Sequence, residues 1–159
     1  MAYKGFQRLA ETVRKLATVP ARAAELASER IKGEIDRALD AGEDPYGRPF
    51  AALSPVTLDL HPHRGAPPLT DTGAMRDAIE VRPMGGAGIE IVIGDDGHGR
   101  PVPVATYHQT GTRRVRGWVY SDVGMPQRQI MPQSGGLPQT WRTALAEAAS
   151  EAFGQVRRG

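Results

Sequence analysis

The sequence lacks cysteine altogether, which excludes disulfide bonds and thiolate chemistry and permits assembly inside a cell. Aromatic residues are few, at 6%, and no apolar run approaches the roughly 18 residues that a membrane span requires. The first residues also lack the apolar core of a signal peptide. An excess of one charge is missing too, since 20 basic and 18 acidic residues leave a net charge of +2. That balance by itself does not indicate a nucleic-acid-binding protein.

Glycine and proline, by contrast, are abundant. The chain has 19 glycines and 13 prolines among 159 residues, about a fifth of its length, whereas average usage is about 12%. Many turns and loops are therefore expected. The length suits a single domain over residues 1–159. We expect a helical region at 1–42, short helices and an antiparallel sheet at 43–132, and a C-terminal helix at 133–159.

A long N-terminal helix is predicted over residues 4–40 by apolar residues three or four positions apart. Pro20 lacks an N–H and restricts Val19, so we expect the helix to break or kink there. Gly42 suits the C-cap, and residues 44–47 fit a type I turn. The apolar positions of this helix are Phe6, Leu9, Val13, Leu16, Ala24, Ala27, Ile31, Ile35 and Leu39. The apolar stripe of the C-terminal helix is Leu137, Trp141, Leu145, Ala148 and Ala152.

Two short helices are expected in the middle of the chain. Ser54 followed by Pro55 predicts a helix start, because serine caps helices and proline is favoured at the first helical position. Asp71 or Thr72 is expected to cap the next helix. The apolar side of that helix would consist of Met75 and Ile79.

Strands are predicted between and after these helices. Alternating isoleucines indicate a strand at 89–94, which forms a hairpin with 80–84 through a glycine-rich turn. Further strands are expected at 115–123 and, as a proline-bounded edge strand, at 125–132. The stretch 103–110 suits either a helical turn or a strand. The predicted fold class is α+β, with the long N-terminal helix, kinked near Pro20, and the C-terminal helix packed on an antiparallel sheet of three to five strands.

No spacing of residues indicates catalysis or metal binding. Neither His61 and His63, in a proline-rich loop, nor His98 and His108 fall in a known metal-ligand pattern. The serines lack a nucleophile-elbow context. The glycines at 85–88 precede a strand instead of opening a helix, so they do not form a phosphate-binding loop. We therefore predict a protein that is not an enzyme and has no cofactor and no metal. A metal-dependent hydrolase using His61, His63 and His108 is the least favoured hypothesis.

The strongest charge feature is a run of arginines after position 100. Residues 100–131 contain five arginines and a single acid, Asp122, with Trp118 and Tyr120 among them. Arginines near aromatic side chains can hold phosphates and stack on bases. They can equally pair with acids of a neighbouring subunit. The pattern favours an interface or a solvated loop and leaves nucleic-acid binding open.

Four segments in order resemble one protein family. They read GRPFAALSPVTL at 47–58, PLTDTGAMRDAI at 68–79, YHQTG at 107–111 and MPQRQIMP at 125–132. Together they are similar to the virion morphogenesis and tail completion proteins of tailed bacteriophages. The departures from the family pattern are Phe50 for Trp, Met75 for Leu, Ala78 for Ser, the missing spacer between Tyr107 and His108, and Gln129-Ile130 for Pro-Phe.

The resemblance implies a structural protein of a bacteriophage or phage-derived particle, which completes the tail or neck and joins head to tail. Such a protein would form a homo-oligomeric ring, with a hexamer expected, at the head–tail junction of the virion after assembly in the host cytoplasm. Its partners would be copies of itself, neck or connector proteins and tail tube proteins, with non-specific contact to packaged double-stranded DNA and none to a membrane. Two alternatives stay open: a small basic DNA-binding protein, and a tail assembly factor that is not retained in the virion.

A ring requires two different, complementary faces on each subunit. We expect the acidic side of the N-terminal helix to form one face and the arginine-rich segment to form the other. The candidate interface residues are Glu25, Glu29, Glu34, Arg113, Arg114, Arg116, Trp118 and Arg128. The candidate structural-motif residues are Ser54, Pro55, Asp71, Thr72, Gly73, Tyr107, His108, Gly111 and Pro126.

Overall fold

A computed structural model describes residues 2–60, 68–69, 73–86, 88–94, 108–111, 126–133 and 136–158. The predicted α+β class is confirmed: a long N-terminal helix and a C-terminal helix accompany a small antiparallel sheet. The elements are α1 (Ala2–Ala41), α2 (Pro55–Leu60), α3 (Ala74–Asp77), β1 (Ile79–Pro83), β2 (Ile89–Ile93) and α4 (Gln139–Arg158). None of the helices in this described part is both long and apolar enough to cross a membrane.

The chain divides into two compact units, each built from several stretches of the sequence. The first unit consists of Met1–Ile31, Val81–Ile91 and Thr140–Gly159. The second unit consists of Lys32–Glu80 and Val92–Gln139. Helix α1 therefore contributes its longer N-terminal part to the first unit and its last turns to the second.

In the first unit, α1 and α4 pack through small side chains. The buried cluster combines residues of α1 with alanines of α4, and nearby side chains complete it. The helices are antiparallel, since Arg22 bonds to Gln155 while Arg30 pairs with Glu147 and Glu151. Alanine at the contact lets two helix backbones approach closely. The buried members are Val19, Leu26, Ala27, Ala148 and Ala152, and the partly buried ones are Ala23, Ile89, Leu145 and Val156.

Helix α1 continues through Pro20 without a break, so that part of the prediction is wrong. Proline inside a helix costs about 3 kcal/mol, because one backbone hydrogen bond is lost and the ring crowds the preceding turn. Val19 and Ala23, on either side of the proline, both pack in the α1–α4 cluster, and this burial offsets the cost. A bend at this point stays a prediction.

The predicted apolar positions of α1 are buried after Pro20 and exposed before it, although Val19, next to the proline, is itself buried. Ala24, Ala27, Ile31, Ile35 and Leu39 are all buried, as the spacing predicted. Before the proline, Leu9, Val13 and Leu16 are 42–58% exposed. In the C-terminal stripe Leu137 is also exposed, since it precedes α4 instead of lying on it.

The C-terminal end of α1, in the second unit, is a Schellman motif. The Gly42 N–H donates to the Leu39 carbonyl at 3.1 Å, and the Glu43 N–H donates to the Ala38 carbonyl at 2.9 Å. Gly42 has φ 70°, a left-handed conformation that glycine adopts without strain. The predicted turn follows, closed by the Gly47 N–H donating to the Asp44 carbonyl at 2.9 Å.

The hairpin of β1 and β2 is close to its predicted position. At one end of the hairpin the Gly94 N–H donates to the Ala78 carbonyl. At the other end the Met84 N–H donates to the Gly88 carbonyl. Ile79 begins β1, so its predicted place on a helix with Met75 is wrong; its branched Cβ favours a strand and α3 already ends at Asp77.

Two other strand predictions have different outcomes. Residues 126–132 are described and form no strand, so the predicted edge strand is wrong there; side chains take up backbone groups that a ladder would otherwise use. The strand predicted at 115–123 lies outside the described residues. Of the stretch 103–110, residues 108–110 adopt the helical turn. The two strands of the hairpin are the whole sheet in the described part, where three to five had been predicted.

We predict that Ala148→Leu destabilises the fold by about 1–3 kcal/mol, because Ala148 is fully buried between the two helices and a larger side chain must push them apart. Ala149→Leu is the matched control, since Ala149 is an exposed neighbour on the same helix. Chemical denaturation of both variants measures the difference. Equal stability of the two would contradict this packing.

Candidate functional site

Three of the four segments that carry the family resemblance meet in the second unit. They contribute residues 48–52, 108–111 and 126–133, and we call their meeting point the motif junction. The first segment follows the Schellman end of α1, and the second is the helical turn at 108–110. The third has no regular secondary structure. Side chains of the second and third segments provide most of the contacts that hold the junction together.

Gln109 is the central side chain of the motif junction. Its Oε1 accepts from the Ile130 N–H at 2.7 Å and from the Met131 N–H at 2.9 Å. Its Nε2 donates to the Met131 carbonyl at 2.8 Å. One side-chain amide thus pairs with the backbone of two consecutive residues, as a neighbouring strand would do. This explains how residues 126–132 are held without belonging to a sheet.

The Gln109 backbone carbonyl is an acceptor as well. It receives hydrogen bonds from Gln127 Nε2 at 2.9 Å and from Gln133 Nε2 at 3.3 Å. A third glutamine, Gln129, donates to the Met131 carbonyl at 3.0 Å and accepts from Arg48 at 3.3 Å. The glutamines of the last segment therefore connect both other segments of the junction.

Arg128 connects the same three segments from the interior. Its side chain is buried, with Nε donating to the Ala51 carbonyl at 2.9 Å and Nη2 donating to the Ala52 carbonyl at 3.0 Å. Its backbone N–H donates to the His108 carbonyl at 2.7 Å. Burial lowers the pKa of the guanidinium, which stays charged because arginine does not lose its proton in proteins. Charged donors strengthen these bonds to carbonyls.

His108 lies beside this buried cation and is held neutral. Desolvation, followed by the charge of Arg128, lowers the pKa of His108 to about 4. Its Nδ1 is buried and has no hydrogen-bond partner among the described residues. A neutral ring between a helical turn and a guanidinium suits packing. General base catalysis near neutral pH instead favours a pKa near 7.

The turn at 44–47 supports the first segment of the junction. Asp44 is buried, and its Oδ1 accepts from the backbone N–H groups of Tyr46 at 2.8 Å and Arg48 at 3.0 Å. Its Oδ2 accepts from Arg48 Nε at 2.6 Å. The Tyr46 hydroxyl donates to the Gly136 carbonyl at 2.8 Å. The aspartate therefore rigidifies the loop that presents the Ala51 and Ala52 carbonyls.

Several predicted motif residues act as structural elements. The Thr57 N–H donates to Ser54 Oγ at 3.1 Å and α2 begins at Pro55, so the predicted cap and first helical position are confirmed. Gly73 and Gly111 have φ angles of 77° and 69°, so both need the left-handed freedom of glycine. Pro126 is exposed at the start of the third segment. Asp71, Thr72 and Tyr107 lie outside the described residues.

The candidate interface residues have different outcomes. Arg113, Arg114, Arg116 and Trp118 lie outside the described residues. Arg128 was assigned to the same interface, but its guanidinium is buried within the chain and donates to the chain's own carbonyls. On α1, Glu25 pairs with Arg22 at 2.7 Å and Glu34 pairs with Arg37 at 3.1 Å, whereas Glu29 is exposed.

Reasoning from the sequence did not single out Gln109, although it lies inside the quoted YHQTG segment. A glutamine in a turn is usually solvated, and its partners here are backbone atoms about twenty positions away. Its place between His108 and Gly111 was the available signal. Within the described residues no group of three histidine, aspartate or glutamate side chains is arranged to hold a metal ion.

No protein-family model, no curated protein and no solved structure matches the chain. The resemblance therefore depends on the four short sequence segments alone.

We predict that Gln109→Leu destabilises the fold by about 1–3 kcal/mol, because two backbone N–H groups lose their partner while side-chain volume is kept. The Met131 carbonyl loses one of its two donors and keeps Gln129. Gln127→Leu is the control, since this exposed side chain makes a single bond to the same turn. Urea denaturation compares the two variants. A Gln109 variant as stable as the control would contradict the central role of its amide.

We also predict a pH dependence of stability from His108. Its pKa in the folded chain is about 4, below the ordinary 6.5, so the unfolded chain binds the proton more readily between these values. The neutral ring makes its full contribution to the free energy of unfolding above pH 6.5, and this contribution is lost as the pH falls towards 4. Partial exposure screens the effect, which we expect to be on the order of 1–2 kcal/mol.

The measurement is the free energy of unfolding of wild type and His108→Gln across pH 7.5 to 4. The difference between them should shrink or change sign as the pH falls, because the variant lacks the titrating ring. Parallel curves would show that the ring does not titrate with a depressed pKa.

Proposed function

We propose that this chain is a structural component of a bacteriophage or phage-derived particle, which completes the tail or neck and joins head to tail as a homo-oligomeric ring. The observation that carries the proposal is the motif junction. Segments that resemble the phage family, and are far apart in sequence, are joined by one network of hydrogen bonds. The network holds these segments in one fixed arrangement, although none of the bonds belongs to a sheet.

The chemistry of the junction supports a structural role over a catalytic one. The two central polar side chains of the junction, Gln109 and Arg128, form hydrogen bonds with backbone groups of the chain itself. Asp44, in the supporting turn, accepts from two backbone N–H groups and from Arg48. His108 is neutral and beside a cation, which weakens it as a base. A rigid frame of this kind suits the presentation of a loop to a neighbouring subunit. The arginine-rich segment follows Gly111 directly in the sequence and is the part of the chain that we propose for this contact.

The ion pairs of α1 reduce the number of acidic residues that are free to form one face of the ring interface. A neighbour's arginine would compete with Arg22 for Glu25 and with Arg37 for Glu34. Glu29 is exposed and has no ion pair among the described residues. It is therefore the acid that we propose for pairing with Arg113 or Arg114 of the next subunit. The resulting contact is heterologous, as ring closure requires.

The proposal is tested on purified protein by native mass spectrometry and negative-stain microscopy. We predict closed rings for the wild type and loss of assembly for the double variant Arg113→Glu, Arg114→Glu, because the attraction between Glu29 and these arginines becomes repulsion. Arg142→Glu is the control, since Arg142 is an exposed arginine of α4 that we assign to neither face. It should assemble normally.

A monomeric wild type at tens of micromolar, or intact rings of the double variant, would overturn the ring proposal. The particle provides the second test. Deleting the gene should leave heads and tails unjoined, and labelling should locate the protein at the head–tail junction. Fully infectious particles from the double variant would also contradict the assigned interface.

A further inference from the structure

Positive charge is concentrated at one end of the first unit. Of the six charged residues among positions 1–22, five are lysine or arginine, and both charged residues of positions 153–158 are arginine. The whole chain is only +2, so the remaining positions are net negative. Such charge asymmetry within a chain of balanced composition is a recognised sign of a polyanion-binding surface.

The antiparallel packing of α1 and α4 brings these two stretches together. Arg22 Nε donates to Gln155 Oε1 at 3.2 Å, which aligns this part of α1 with the last turns of α4. An open groove of about 460 Å³ lies between them. Its polar lining residues are Lys15, Thr18, Arg22, Glu25 and Gln155, and its apolar ones are Ala21, Ala152 and Val156. Arg157 and Arg158 follow directly at the end of α4.

Most of these cations are available to a ligand. Lys15, Arg157 and Arg158 are exposed, and none of them forms an ion pair within the described residues. Arg22 forms an ion pair with Glu25, and the hydrogen bond between them raises the pKa of the Arg22 guanidinium. We call Lys15, Arg22, Arg157 and Arg158 the basic end. Its last two arginines also face the negative end of the α4 dipole, although two adjacent cations exceed what one helix terminus needs.

The spacing of the basic end suits a nucleic-acid backbone. Lys15 and Arg22 are seven residues apart on one side of α1, which separates them by about 10.5 Å along the axis. Phosphates of one DNA strand advance about 3.4 Å each, so this separation matches about three nucleotides. Gln155, opposite the two cations, is a side chain of a type that commonly bonds phosphate oxygens. Its Nε2 uses one of its two N–H groups to donate to Glu151, whereas the single O–H of Thr18 donates to the Lys15 carbonyl.

We propose that the basic end binds the phosphate backbone of duplex DNA, without sequence preference. An anionic bilayer is the less favoured partner, because a membrane-bound amphipathic helix buries its apolar face. The exposed apolar residues of α1, Leu9, Val13 and Leu16, are displaced by about 100–180° around the helix from Lys15 and Arg22. A bilayer that contacted the cations would therefore leave these apolar residues uncovered. Binding to DNA deepens the proposed function but does not require a ring, since the surface belongs to a single chain.

The test is fluorescence anisotropy with a 30-base-pair duplex of arbitrary sequence, titrated at several salt concentrations. We expect the double variant Lys15→Ala, Arg158→Ala to bind about tenfold more weakly, and the slope of log affinity against log salt to fall by about 2. The matched control is Arg37→Ala, Arg142→Ala, which removes two exposed arginines outside the basic end. It should stay within twofold of wild type. Circular dichroism checks that both variants keep their helices.

Three results would overturn this inference. The first is absence of wild-type binding at 50 mM salt. The second is a change in which residues DNA binding depends on. Either the control loses as much affinity as the test variant, or the test variant keeps its affinity while Arg113→Ala, Arg114→Ala loses it, which would assign DNA binding to the arginine-rich segment. The third is binding to phosphatidylglycerol vesicles without binding to the duplex. Native mass spectrometry of the same samples reports ring formation separately, so failure here and failure of the ring proposal are distinguishable.

Discussion

Backbone groups outside helices and strands need hydrogen-bond partners, and this constraint organises the second unit. A chain so rich in glycine and proline leaves long irregular segments, and in the described part the sheet has only two strands. Side chains take over the pairing: Gln109 bonds both sides of the 130–131 backbone, Arg128 bonds two carbonyls, and Asp44 bonds two N–H groups. Each is costly to remove, because an unpaired buried polar group loses its solvation as well as its bond.

The two units differ in the way they are stabilised. The first depends on close contact between alanine-rich helix faces, with Arg30 bonded to two glutamates of α4 at the edge. The second depends on specific polar contacts between segments distant in sequence. Small side chains tolerate little change in volume, and polar networks tolerate little change in geometry. The first unit is therefore sensitive to changes in side-chain volume, and the second to changes in hydrogen-bond geometry.

The charges of the chain have several distinct uses. Arg128 is internal, Arg30 and Arg48 stabilise packing and a turn, and the basic end is open to solvent. A count of arginines cannot separate these uses, because the same residue type suits burial against carbonyls and attraction of phosphates. The arginine run that dominates the sequence therefore includes at least one member, Arg128, whose role is structural. The proposed interface is correspondingly smaller than the run.

Local chemistry was readable from the sequence wherever the cause lies within a few residues. The cap at Ser54, the left-handed Gly42, the strand at Ile89–Ile93 and the helix at Gln139–Arg158 all follow from spacing and backbone preference. Tertiary structure alone decided that α1 continues through Pro20, since packing on α4 offsets the local cost. It also decided the roles of Gln109 and Arg128, whose partners lie up to 77 positions away. No periodicity encodes such pairings, because they depend on which backbone groups the folded chain leaves unpaired.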